Sequence, residues 1–224
     1  MTPLRLLAEV VSELERRHAG CFAVAGGLAA SWYRLQPRLT NDVDIVLDVG
    51  GVIASRDAAE ALIEHFGYRP AAGWISDPEG RLETVAALVI GSPPDSRLGE
   101  AGGAVSPGAT TSGGATIDFL LPAFPWAAPA VERAQQNRID FGFGRLPTMT
   151  PEDVIVAKTF ALAIDRSRFR DLDDLQAIFR AENELDLVYL VEQFERLSLA
   201  LPEALHEEAP AALRRVSRKK QHAR

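Results

Sequence analysis

Apolar residues at Leu4, Leu7, Val11 and Leu14 recur at helical spacing and predict an opening amphipathic helix that Ala19-Gly20 ends. The apolar run over residues 21–25 predicts a short strand. Gly26-Gly27 then turns tightly into a second helix over residues 28–35, which must stop before Pro37 because the residue ahead of a proline is pushed out of the helical region. From Asp42 to Asp48 the pattern changes to strict alternation, with Val43, Ile45 and Leu47 on one face and Asp42, Asp44, Val46 and Asp48 on the other. That predicts a strand with one core face. Ser55 is placed to cap a helix ending at Phe66, and residues 68–74, 82–90 and 115–121 supply further strand candidates.

Residues 91–114 are rich in glycine, serine and proline and predict a long loop, of a length that in a compact domain is functional or disordered. From Trp126 the periodicity is helical over residues 126–136, followed by a short hairpin over 138–146. The run "TPEDVIVAKTFALAIDRSRFRDLDDLQAIF" comes next, with Thr150 as N-cap, Pro151 at the first helical position and Asp153 closing a capping box. A last helix covers residues 185–197. The fold class is therefore α+β, a mixed sheet flanked by helices with a helical C-terminal part. The expected division is an α/β core over residues 1–122 and a helical region over 123–224. Its basic tail, from Arg214 through Arg215, Arg218, Lys219 and Lys220 to Arg224, reads as a solvated, disordered end or as a grip on RNA.

Composition narrows the chemistry. With 224 residues, 47% of them apolar and 25% charged, the chain can bury a sizeable core. No apolar run approaches the length that crosses a bilayer, and the first 17 residues carry charges through their apolar positions, unlike a signal peptide. The expectation is a cytoplasmic protein without a membrane partner. Cys21 is the single cysteine, so no intrachain disulfide can form, and its apolar setting suits a small buried hydrophobe. The histidines show no zinc spacing, which leaves oxygen as the ligand of any metal. A net charge of −7 argues against a broad, sequence-blind nucleic-acid surface, although arginines do cluster at Arg166, Arg168 and Arg170.

The alternating strand raises the main chemical question. Residues i and i+2 of a strand point the same way about 7 Å apart, so Asp42 and Asp44 project side by side. Unpaired, they repel, and each carboxyl has its pKa raised unless a cation stands between them. Magnesium answers that need, because it takes carboxylate and phosphate oxygens, and a pair of such ions can serve phosphoryl transfer. "TIDFLL" offers a third carboxylate, Asp118, inside another apolar strand. Gly26-Gly27 reads either as an ordinary turn or as a place where backbone N–H groups meet a phosphate. Asp42 and Asp44 alone could equally be a solvated strand face.

Together, Gly26-Gly27, then Arg38, Thr40, Asp42 and Asp44 in "RLTNDVDI", then Asp118, resemble the nucleotidyltransferase superfamily with the DNA polymerase β-like fold. Lys158, Arg166, Arg170-Asp171 and Asp174 resemble the second motif of its AbiEii/MenT-type toxin branch. The resemblance spans residues 22–179. It implies that Asp42, Asp44 and Asp118 bind magnesium, that the Gly-Gly turn holds a nucleoside triphosphate with Arg38 and Thr40, and that Lys158, Arg166 and Arg170 contact triphosphate or acceptor.

Lys158, Asp165 and Arg166 also lie seven or eight residues apart, close to two helical turns, which puts them on one face of a continuous helix. That face is either a salt-bridged surface or a phosphate-facing one. The resulting expectation is an Mg²⁺-dependent enzyme that moves a nucleoside monophosphate from an NTP to an acceptor hydroxyl. The resemblance implies RNA, such as a tRNA end, as that acceptor, and a toxin with a possible antitoxin partner. The alternatives are transfer to a small molecule such as an aminoglycoside, and a catalytically silent member that binds a nucleotide or a partner.

Overall fold

The computed structural model of the chain describes residues 2–70, 84–89, 115–181 and 184–221. Helix α1 (Pro3–His18) is capped by Thr2, whose side chain accepts from the Arg5 amide, and it buries Leu6, Leu7, Val10, Val11 and Leu14. Strand β1 (Phe22–Val24) leads through helix α2 (Gly26–Trp32) to strand β2 (Asp42–Leu47). Helix α3 (Val52–His65) and the strands β3 (Arg69–Pro70), β4 (Thr84–Val89) and β5 (Ala115–Leu120) complete the N-terminal half. Among the described residues these strands form one sheet in the order β1-β2-β5-β4-β3. Only the β2 and β5 pair is parallel, as befits two strands joined by a long excursion through a helix.

The two faces of β2 explain where the protein opens. Val43, Ile45 and Leu47 pack with Ile117 and Phe119 against α1 and α3. On the other face Val46 joins Ala23 in a second cluster made with the later helices. Asp42 and Asp44 share the Val46 face but lie toward the start of the strand.

The later elements are α4 (Ala127–Ala134), the hairpin β6 (Arg138–Asp140) and β7 (Arg145–Pro147), α5 (Pro151–Ile164), α6 (Phe169–Arg180), α7 (Leu187–Arg196), a 3₁₀ turn (Glu203–Leu205) and α8 (Ala211–Gln221). Thr150 caps α5 by accepting from the Asp153 amide at 3.3 Å, as the sequence predicts. The Asp153 carboxylate accepts instead from the Thr150 hydroxyl, from Arg133 and from the Tyr189 hydroxyl, and Arg133 also reaches Glu152 and stacks over the Tyr189 ring. That buried network ties α4, α5 and α7 together. The architecture is α+β, and among the described residues no helix is long and apolar enough to cross a membrane.

Several local expectations need correction. Ser55 does not cap α3: the helix starts at Val52 behind Gly51, and the Ser55 hydroxyl accepts from the Val49 amide at 2.9 Å inside its first turn. Helix α2 begins at Gly26 and ends at Trp32, earlier at both ends than expected. The long helix after Thr150 breaks after Ile164, where the Asp165 backbone turns extended (φ −132°, ψ 104°). The basic tail is not a disordered end as far as Gln221, because α8 buries Leu213, Val216 and Ser217. The strand expected beyond Pro70, the outer residues of the one expected over 82–90 and the loop expected over 91–114 lie outside the described residues.

Candidate active site

The parallel register of β2 and β5 sets Asp44 directly beside Asp118 and Asp42 beside Thr116. In-register neighbours on parallel strands point to the same face, so all three carboxylates lie together on interior strands of the sheet. The Thr116 hydroxyl donates to Asp42 Oδ1 at 2.5 Å, and Thr40 Oγ1 accepts from the Asp42 amide at 3.3 Å.

The glycine turn sits on this acidic pair. The Ala25 amide donates to the Asp44 carbonyl at 2.9 Å, and the Gly27 amide donates to Asp44 Oδ2 at 3.3 Å. Gly26 has φ +56°, and a Cβ there would lie 1.7 Å from Asp44 Oδ2. A Cβ on Gly27 would come within 2.9 Å of Arg38 Nη2 and 3.2 Å of Thr40 Oγ1. Gly26 is therefore required by contact and by backbone conformation, whereas a Cβ on Gly27 would press on the end of the Arg38 side chain and displace it.

The acids are poorly compensated. Burial pushes the Asp118 carboxyl up to about 7, with the neighbouring Asp44 and Asp42 charges adding to the effect. Burial raises Asp44 as well, and the Lys158 charge and the Gly27 amide only partly oppose it.

A network of paired charges stands beside them, with Lys158 from α5, Asp171 and Asp174 from α6, and Arg34 and Arg38 from the segment between α2 and β2. Lys158 is buried, and its ammonium donates to Asp171 Oδ1 at 2.6 Å while standing 2.8 Å from Asp174 Oδ2. Fully buried Asp174 also accepts from Arg34 Nη1 at 2.5 Å and from Arg38 Nε and Nη2 at 2.8 and 2.9 Å. Burial pushes the Asp174 carboxyl up, but the Arg38 and Lys158 hydrogen bonds and charges outweigh it and hold it at about 2. Arg168 pairs with Asp171 at 2.5 Å. The surface-helix reading of Lys158 thus fails on burial, and its ammonium is engaged with two acids that the helical spacing did not connect to it.

These elements enclose a cleft of about 850 Å³. Gly26, Gly27, Arg38, Thr40, Asp42, Asp44, Asp118, Lys158 and Arg170 line it, and Arg166 does not. The break between α5 and α6 takes Arg166 off the face that continuous helical spacing assigned to it. Sequence reasoning missed the apolar wall, formed by Phe124, Trp126, Met149 and Phe160. Such residues carry the same signal as core. The buried Trp126 indole N–H, which has no partner among the described residues, is the feature that sets the wall apart.

The carboxylate set suits a hard divalent cation. It offers only oxygen, it is partly desolvated, and the raised Asp44 and Asp118 pKa values report negative charge that a cation would relieve. As folded, among the described residues no three histidine, cysteine or acidic side chains are gathered as a ready metal cluster. Asp42 is hydrogen-bonded to Thr116 and Asp44 to Gly27.

A family model described as the AbiEii nucleotidyl transferase toxin of a type IV toxin–antitoxin system matches residues 10–223. The chain is similar to a solved structure, an antigenic nucleotidyltransferase-like protein from Paracoccidioides brasiliensis. Identity is 15% over 91% of this chain and 92% of that chain, with a TM-score of 0.46. No curated protein matches.

Proposed function

The chain belongs to the AbiEii nucleotidyl transferase toxin family, and from that premise we propose that it is an Mg²⁺-dependent toxin that transfers NMP from an NTP to a hydroxyl of RNA, such as a tRNA end. The observation that carries this reading is the in-register placement of Asp44 and Asp118, with Asp42 on the same face, at the floor of a cleft shared with Gly26, Gly27 and Lys158. In the reaction the acceptor oxygen bonds to the α-phosphorus, the bond from that phosphorus to the oxygen bridging to the β-phosphate breaks, and pyrophosphate leaves.

Asp118, in register beside Asp44 and lining the cleft, would help to take the acceptor proton. Asp42, Asp44 and Asp118 would hold one or two Mg²⁺ ions, which supply charge neutralisation for the attacking and leaving oxygens. Gly26 and Gly27 let the triphosphate approach the backbone, and Arg38, Thr40 and Lys158 flank it. Exposed Arg170 also lines the cleft, and exposed Arg166 lies outside its lining. NTP as donor and an antitoxin as partner follow from the family, and the cytoplasm from the need for NTP. The exposed arginines beside the cleft count against a cationic acceptor such as an aminoglycoside.

The test is incubation with each labelled NTP, Mg²⁺, total tRNA and an aminoglycoside panel, with the label then located. Label on RNA that vanishes on chelation is expected. Label on an aminoglycoside, or on nothing, would overturn the reading.

A further inference from the structure

Residues 163–170, from the end of α5 through the link to the first two residues of α6, are exposed without a break. Within them Arg166, Arg168 and Arg170 alternate with Ser167 and Phe169. Phe169 keeps 75% of its surface exposed although it lines the cleft, and nearby Ile164 keeps 52%. The one acid of the segment, Asp165, is folded back on its own chain, accepting from the Ser167 amide at 2.9 Å and the Ser167 hydroxyl at 2.7 Å. Arg168 is tied to Asp171, but among the described residues no ion pair or hydrogen bond engages the Arg166 or Arg170 guanidinium.

A bare aromatic ring lining a cleft that also holds three carboxylates, with the unengaged Arg170 guanidinium next to it in the chain and that of Arg166 three residues before it, selects its occupant by chemistry. A cationic ligand would be repelled by the arginines. A neutral apolar one would leave them unused. An acidic peptide could neutralise them but brings no flat face for the ring. A single nucleic-acid strand supplies both, phosphates for the guanidiniums and a base for the ring.

We propose that Phe169 is the stacking platform for the terminal base of the acceptor strand, the base next to the hydroxyl that receives the nucleotide, with Arg166 and Arg170 on the adjoining phosphates. The inference rests on the reading of the cleft as a nucleotidyl-transfer site. It assigns acceptor recognition to the α5–α6 link and the start of α6, and leaves the glycine turn to the triphosphate. Because Phe169 is exposed, its replacement does not threaten the core.

The probe is a fluorescein-labelled single-stranded RNA of about a dozen nucleotides, within the span such sites cover. It is compared by anisotropy with the same strand abasic at its 3′ end, using the full chain. Wild type should bind the strand with the terminal base roughly five-fold or more tighter, the lower end of base–aromatic stacking. Phe169→Ala should abolish that preference and Phe169→Trp should keep it. Arg166→Gln with Arg170→Gln should weaken both strands equally and reduce the salt dependence.

An undiminished preference in Phe169→Ala would overturn the inference. So would a polyglutamate peptide that binds as tightly as the strand and with the same need for Phe169, since that assigns the segment to an acidic protein partner. So would a raised KM for NTP with an unchanged KM for RNA in Phe169→Ala, since that puts the ring on the donor base. Pyrophosphate release is measured separately. A protein that shows the terminal-base preference but transfers to no acceptor loses the transfer reading while the role of the ring stands.

Discussion

A Cβ atom on Gly26 would lie 1.7 Å from Oδ2 and 2.7 Å from Cβ of Asp44, so the glycine and the acid occupy one another's space. The turn can carry Asp44 at the cleft floor only because residue 26 has no side chain and tolerates φ +56°.

Gly26→Ala should therefore cost about 2 kcal/mol or more, from the left-handed backbone alone and then from the clash. In an Asp44→Gly background the loss should be smaller, and a double-mutant cycle read by urea denaturation gives the coupling. Additive losses would show that the two residues do not share this space.

Asp44→Asn should keep the fold and raise the melting temperature of the metal-free protein, because it removes a charge that burial and Asp42 disfavour. Wild type should gain roughly 5 °C or more in saturating Mg²⁺, the scale of ligand linkage for a chain of this size. The variant should lose most of that gain together with transfer activity. Equal Mg²⁺ shifts in both proteins would remove Asp44 from the ligand set.

Lys158→Met should destabilise by about 3 kcal/mol, since it leaves buried Asp171 and Asp174 short of a cation. An exposed helix position would change stability by only a few tenths, so the urea midpoint distinguishes a buried strut from a surface charge. If Lys158 also serves the triphosphate, the NTP KM or kcat should worsen in the folded fraction.

Asp174 contributes to the acid dependence of stability. Its folded pKa, about 2, lies below the unfolded value near 3.9, so its contribution is complete above about pH 4. That contribution is lost as pH falls through about 2. A plot of urea midpoint against pH should drop over this window, and Asp174→Asn should drop less steeply there.

Leu213→Ala should cost about 2–5 kcal/mol, because Leu213 is fully buried in the core that α8 shares with α7. The Ser217 hydroxyl accepts from the Leu201 amide at 2.9 Å beside it. A change of a few tenths in thermal denaturation would return this segment to a solvated tail.

The sequence by itself determined whatever depends on neighbours along the chain. Alternation from Asp42 to Asp48 forces the two acids onto one face whatever the strand pairs with, and Thr150 followed by Pro151 marks where a helix can start by local chemistry alone. The glycines and the third acid were visible by type for the same reason. Tertiary structure decided the partners. That Asp118 stands beside Asp44 depends on a strand pairing across 74 positions, and no local period encodes such a register. Lys158 looked like half of a helical charge stripe, yet its partners are Asp171 and Asp174 on the next helix. A break at Asp165 folds that helix back, which the hydrophobic spacing alone did not reveal. The tail shows the same limit: its charges are local and read as solvated, while its helix is held by Leu213 and Val216 against α7, a burial that only the packed helices create.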